Sequence, residues 1–70
     1  MGSGRVMWFN QAEGFGFISD DNGRKIYFHY TQIIDASSKM SSTGGAVVYF
    51  DLFETSLVWE ASNVRLFSLV

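Results

Sequence analysis

The chain has no cysteine and no proline, a single histidine, and few charged residues, 17% of its 70 positions. Without cysteine there is no disulfide, no thiol nucleophile and no thiolate ligand for a metal. His29 alone, with carboxylates scattered around it, does not make a zinc site, so neither a metal nor a cofactor is expected. No apolar run approaches the roughly eighteen residues of a membrane span. The opening Met1, Gly2, Ser3, Gly4 has neither the basic nor the apolar region of a signal peptide. The sequence therefore predicts a cytoplasmic protein with no membrane partner, and reads its first four residues as a disordered start with the composition of an expression remnant. Basic charge is scarce too: five Lys and Arg against seven Asp and Glu give a formal net charge of −2, which argues against a partner held mainly by its phosphates. Catalysis finds no footing, because Asp20 and Asp21 fall on a turn, Asp51 and Glu54 on another strand, and no nucleophile stands beside a base. Gly14 and Gly16 lead into no helix and make no phosphate loop.

What the chain has in quantity is aromatic residues, two Trp, three Tyr and seven Phe. A domain this short buries only about 60–65% of the surface its unfolded chain exposes, and the rings exceed what so small a core needs. Some are expected on the surface as contacts. Val, Ile, Phe, Tyr and Trp fall in short runs with period 2, and no window shows helical recurrence, so the chain reads as all-β in one domain over residues 1–70. Strands are expected over 5–10, 15–19, 24–30, 46–54 and 58–66. Asn22-Gly23 marks a two-residue type I′ hairpin turn, residues 31–34 a short helical turn, and the Ser- and Gly-rich stretch 35–45 a flexible loop. Five short antiparallel strands cannot bury both faces of a flat sheet, so closure into a small barrel is the expected architecture.

Alternation then sorts the side chains. Phe15 and Phe17 flank Gly16 on one face, and Tyr27 and His29 share a face of the third strand, with Tyr30 where that strand ends. With Ile18, Ile26 and Phe28 turned inward, Phe15, Phe17, Tyr27 and His29 line one exposed patch. Val6 and Phe9 cannot both face inward under strict alternation, so a bulge between them is expected, which turns Trp8 outward to join the patch. A row of solvent-facing rings suits single-stranded nucleic acid, since each stacked base contributes about 1–3 kcal/mol. The competing assignments are plainer: core packing for Phe15, Phe17 and Trp8, an idle surface imidazole for His29, and simple strand formers for Tyr27 and Tyr30. Phe53 and Trp59 are assigned to the core or to an interface.

Val6-Met7-Trp8-Phe9-Asn10, Glu13-Gly14-Phe15-Gly16-Phe17-Ile18 and Ile26-Tyr27-Phe28-His29-Tyr30, at their mutual spacing, resemble the bacterial cold-shock protein family, whose usual forms are V-K-W-F-N, K-G-F-G-F-I and V-F-V-H-F. The resemblance is close over residues 5–34. Beyond them it continues only as Gly45, the alternation Val48, Phe50, Leu52, and Ala61-Ser62-Asn63-Val64. It implies a five-stranded antiparallel OB-type barrel that binds single-stranded DNA or RNA by stacking and acts as an RNA chaperone, with Trp8, Phe15, Phe17, Tyr27, His29 and Tyr30 as the platform. Met7 and Glu13 stand where the family has lysines, and Ser56-Leu57-Val58-Trp59 where it commonly has a basic residue, Gly and Pro. The implied binding is accordingly weaker than usual for the family and carried by stacking. A peptide-binding barrel, and a diverged or engineered barrel with little nucleic-acid affinity, are the alternatives. The apolar run 64–70 together with the 35–45 loop raises homo-oligomerisation by strand exchange as a further expectation.

Overall fold

The computed structural model describes residues 2–34 and 45–66. Its elements are β1 (Gly2–Asn10), β2 (Phe15–Asp20), β3 (Lys25–His29), a 3₁₀ turn (Tyr30–Gln32), β4 (Val47–Glu54) and β5 (Trp59–Leu66). The strands close into a barrel in the order β1-β2-β3-β5-β4, the all-β OB-type architecture expected. One seam differs from the antiparallel expectation. β3 and β5 run parallel, with Ile26 opposite Trp59 and Tyr27 opposite Glu60. Closure needs this seam, because β3 and β5 would otherwise both be bare edges.

Of the first four residues, expected as disordered, residues 2–4 are part of the barrel. Gly2 to Arg5 pair with Phe50 to Val47 of β4. The loop expected over 35–45 lies outside the described residues apart from Gly45, as does the run 64–70 beyond Leu66, so strand exchange concerns residues mostly outside them. No helix among the described residues is long and apolar enough to cross a membrane.

Inward positions of all five strands meet in a core of Val6, Ile18, Ile26, Phe28, Val48, Phe50, Ala61 and Val64. Phe9, Ile33, Ala46, Leu52, Trp59 and Leu66 pack around it. Two bulges keep this core continuous. In β1 the register with β2 shifts between Val6 and Trp8, which places Met7 as the extra residue and lets Val6 and Phe9, three apart, both point inward, as the sequence required. Phe9 stacks on Phe28, ring centroids 5.8 Å apart at 18°. In β5 the register with β4 shifts opposite Phe50, and Asn63 takes a positive φ of 51°, so that Ala61 and Val64 both reach the core. Asparagine tolerates this conformation better than other side chains, and Asn63 Nδ2 also donates to Asp51 Oδ2 at 2.8 Å.

The β2–β3 turn differs in type from expectation. A type I′ turn needs positive φ at both central residues, yet Gly23 has φ +80° and Asn22 does not. The Gly23 N–H donates to the Asp20 carbonyl and the Asp20 N–H to the Arg24 carbonyl. This is the three-residue hairpin, a tight turn followed by a left-handed glycine. Asp20 explains the choice: its carboxylate, almost wholly buried, accepts from the N–H groups of Asn22 and Arg24 and from Arg24 Nε at 2.8 Å. Burial alone raises a carboxyl pKa, but these bonds and the guanidinium charge outweigh it and hold Asp20 below its ordinary 3.8.

Candidate functional site

β1, β2 and β3 lie side by side, and their outward residues form rows across the strands. Trp8 pairs with Phe17 and Phe17 with Tyr27, while Asn10 pairs with Phe15 and Phe15 with His29. Four rings thereby make one connected cluster. Trp8 lies 5.5 Å from Phe15 and 5.9 Å from Phe17, Phe15 lies 6.1 Å from Phe17 and 5.7 Å from Tyr27, and Phe17 lies 6.0 Å from Tyr27. These are the tilted and edge-on contacts that aromatic quadrupoles favour. His29 and Tyr30 add a second group at 4.9 Å. The strand registers thus bring Trp8, Phe15, Phe17, Tyr27 and His29 to one face, and Tyr30, in the 3₁₀ turn, borders it against His29.

Their exposure is graded. Tyr30 is 56% and Trp8 47% exposed, whereas Phe15, Phe17, Tyr27 and His29 are half-buried, each shielded by its neighbours. Gly16 shows why the face is close-packed beneath. A Cβ there would stand 2.5 Å from the Trp8 carbonyl oxygen and 2.9 Å from Phe28 Cε1. Only glycine lets β2 approach β1 so closely while the rings on either side of it point outward.

The polar edge is set by local turns. His29 Nδ1 accepts from the Thr31 N–H at 3.3 Å and lies 2.9 Å from the Thr31 hydroxyl. Tyr30 is fixed through its N–H, which donates to the Gly14 carbonyl at 2.9 Å. Beside Trp8, a shallow concavity is lined by Phe9, Asn10 and Gln11.

Three further residues border the rings. Lys25 follows Tyr27 and His29 in alternation, and its Nζ sits 4.3 Å from the Phe17 ring centroid, a cation–π contact of about 0.5–1 kcal/mol at exposed sites. Period 2 along β3 puts Lys25 on the face of Tyr27 and His29, so the sequence contains its position but not the ring contact. Glu60 flanks Tyr27 through the parallel seam and Phe53, 45% exposed, lies next to Glu60. No local pattern predicts a parallel pairing, so neither was legible. Phe53, assigned to core or interface, lies outside the core. Trp59 packs partly into the core beneath the Arg24 guanidinium, 4.6 Å from its ring. Among the described residues no group of three or more His, Asp or Glu could hold a metal.

The face carries no cation from Met7 or Glu13. Met7 is 51% exposed beside Trp8, and Glu13 sits in the turn where its N–H donates to Asn10 Oδ1.

Comparison with known proteins agrees with the barrel. The sequence matches the 'Cold-shock' DNA-binding domain over residues 2–67. It is 38% identical over 64 residues to the cold shock protein CspD of Bacillus subtilis, covering 91% of this chain and 96% of that protein. It is likewise 38% identical to a major cold shock protein of Streptococcus pyogenes serotype M6, over 91% and 94% of the two chains. The cold shock-like protein CspA of Rickettsia bellii is 36% identical over 90% of each. The likeness thus runs through the second half, where the sequence motifs alone were sparse. The chain belongs to the cold-shock domain family.

Proposed function

We propose that the chain binds single-stranded DNA or RNA by stacking bases on Trp8, Phe15, Phe17, Tyr27, His29 and Tyr30, and acts in the cytoplasm in the manner of an RNA chaperone, without catalysis. Family membership carries the general nucleic-acid-binding role. The observation that supports the finer reading is the placement of five of these side chains on one face with Tyr30 at its border, four of them as a connected cluster with centroids 5.5–6.1 Å apart. Flat rings recognise unpaired bases and are of little use against a duplex, whose bases are already stacked. Affinity is expected below that of relatives with lysines at positions 7 and 13, since methionine and glutamate supply no phosphate contact.

The test is a titration of tryptophan fluorescence with a short oligothymidine and with duplex DNA of equal length. Quenching by the single strand alone is the expected result, because a stacked base alters the surroundings of Trp8. Absence of quenching up to near-millimolar single strand refutes the proposal and turns attention to an extended peptide as the occupant of the rings.

A further inference from the structure

At one end of the aromatic face, Arg5 pairs with Ser19 and Ser19 with Lys25. These three make a polar row next to the row of Trp8, Phe17 and Tyr27. The basic residues near it are unequally committed. Arg5 Nη1 donates to the Gly45 carbonyl at 3.0 Å. Arg24 is bonded to Asp20 at 2.8 Å and lies over Trp59, away from the face. Lys25 is exposed and, among the described residues, rests only on the Phe17 ring, 4.3 Å from its centroid.

That ring is also one on which a base would stack, so base and ammonium compete for it. The competition is uneven. An incoming base displaces the ammonium from the ring and brings its own phosphodiester, to which an ammonium binds more strongly than to a phenyl face. We propose that Lys25 is the phosphate contact of this site: it covers Phe17 in the free protein and passes to a backbone phosphate of the single strand when a base takes the ring. The assignment rests on the stacking function proposed above and adds its missing charged contact. It also sets the course of the strand. The phosphate passes at Lys25, at the Ser19 end of the face, while bases cover the rings, and the carboxylate of Glu60 beside Tyr27 disfavours a path across the β5 flank.

Lys25→Gln tests this with oligothymidine over a range of salt, after its melting temperature has shown the variant folded. One phosphate neutralised on a single strand gives a slope of log K against log salt of about −0.7. The wild type is expected near that value and the variant near zero. Between ~50 mM and ~1 M salt the ratio of wild-type to variant affinity then falls about eightfold. On a methylphosphonate oligothymidine, whose backbone is uncharged, the order reverses: loss of the ammonium uncovers Phe17, and the variant binds about two- to fivefold more tightly. Equal slopes for the two proteins on the charged strand, or a variant weaker on the uncharged strand as well, overturn the assignment and leave stacking intact. Failure of both proteins to bind any single strand overturns the stacking function and the assignment with it.

Discussion

Replacing Phe15 separates a binding ring from a packing ring, because it belongs to both descriptions. The ring is half-buried and touches Trp8, Phe17 and Tyr27 at 5.5, 6.1 and 5.7 Å. A fully buried Phe→Ala change costs about 3–5 kcal/mol. With roughly half the burial, Phe15→Ala is expected to cost about 2 kcal/mol, a fall in melting temperature of about 8–16 °C for a domain of this size. Phe15→Leu keeps most of the volume and apolar contact, so its stability cost stays below about 1.5 kcal/mol. Neither variant keeps the flat face. Both should lose about 1–3 kcal/mol of affinity for oligothymidine, roughly 5- to 150-fold, measured by calorimetric titration at temperatures where each variant is fully folded. Phe28, wholly buried on the other side of the same sheet, marks the contrasting case. Phe28→Leu perturbs stability by repacking and leaves the affinity of the folded protein unchanged. The reasoning is refuted if Phe15→Leu binds oligothymidine like the wild type while Phe15→Ala loses the full 3–5 kcal/mol of a core residue.

The wild-type dependence of affinity on salt should be shallow, a slope of about −1 or less, and a slope of −3 in the same titration would contradict binding led by stacking. Asp20, held below its ordinary 3.8, binds a proton more readily in the unfolded chain than in the folded one. Its contribution is therefore complete above about pH 5 and is lost as pH falls through and below 3.8. Urea midpoints should fall over that window, and Asp20→Asn should lower stability at neutral pH while flattening the acid limb; an unchanged limb would show that other groups set it. Asn63→Ala should destabilise by about 1–2 kcal/mol in thermal unfolding, since alanine is strained at positive φ and loses the bond to Asp51, whereas Asn63→Gly loses only the bond and should be the less destabilised of the two.

Much of this architecture is legible because period 2 is a strong constraint. Phe15, Phe17, Tyr27 and His29 fall on one face by counting alone, and the same count carries Lys25 with them. The two bulges answer to one rule, that core residues three apart in a strand need an extra residue between them. Applied to Val6 and Phe9 it locates the Met7 bulge; in β5, where the structure turns Ala61 and Val64 inward, it accounts for the one at Asn63. The Asn22-Gly23 turn misled because the dipeptide signal ignores Asp20, whose buried carboxylate collects the N–H groups of Asn22 and Arg24 and so favours the longer loop. The parallel seam of β3 and β5, with Glu60 and Phe53 beside the rings, joins segments more than thirty positions apart and leaves no local trace.

The Met7 bulge ties the core to the candidate site. In a regular strand, Val6 facing inward would draw Trp8 inward as well and turn Phe9 to solvent, since a shift of one residue moves every later side chain to the opposite face. The single extra residue reverses both outcomes at once. Phe9 gains its stack on Phe28 at 5.8 Å, and Trp8 emerges 47% exposed against Phe15 and Phe17. The cost of the bulge is thus offset by core packing, which the fold requires whether or not any ligand is present. The outward tryptophan follows from that same geometry, so stability and the aromatic face are coupled at Met7.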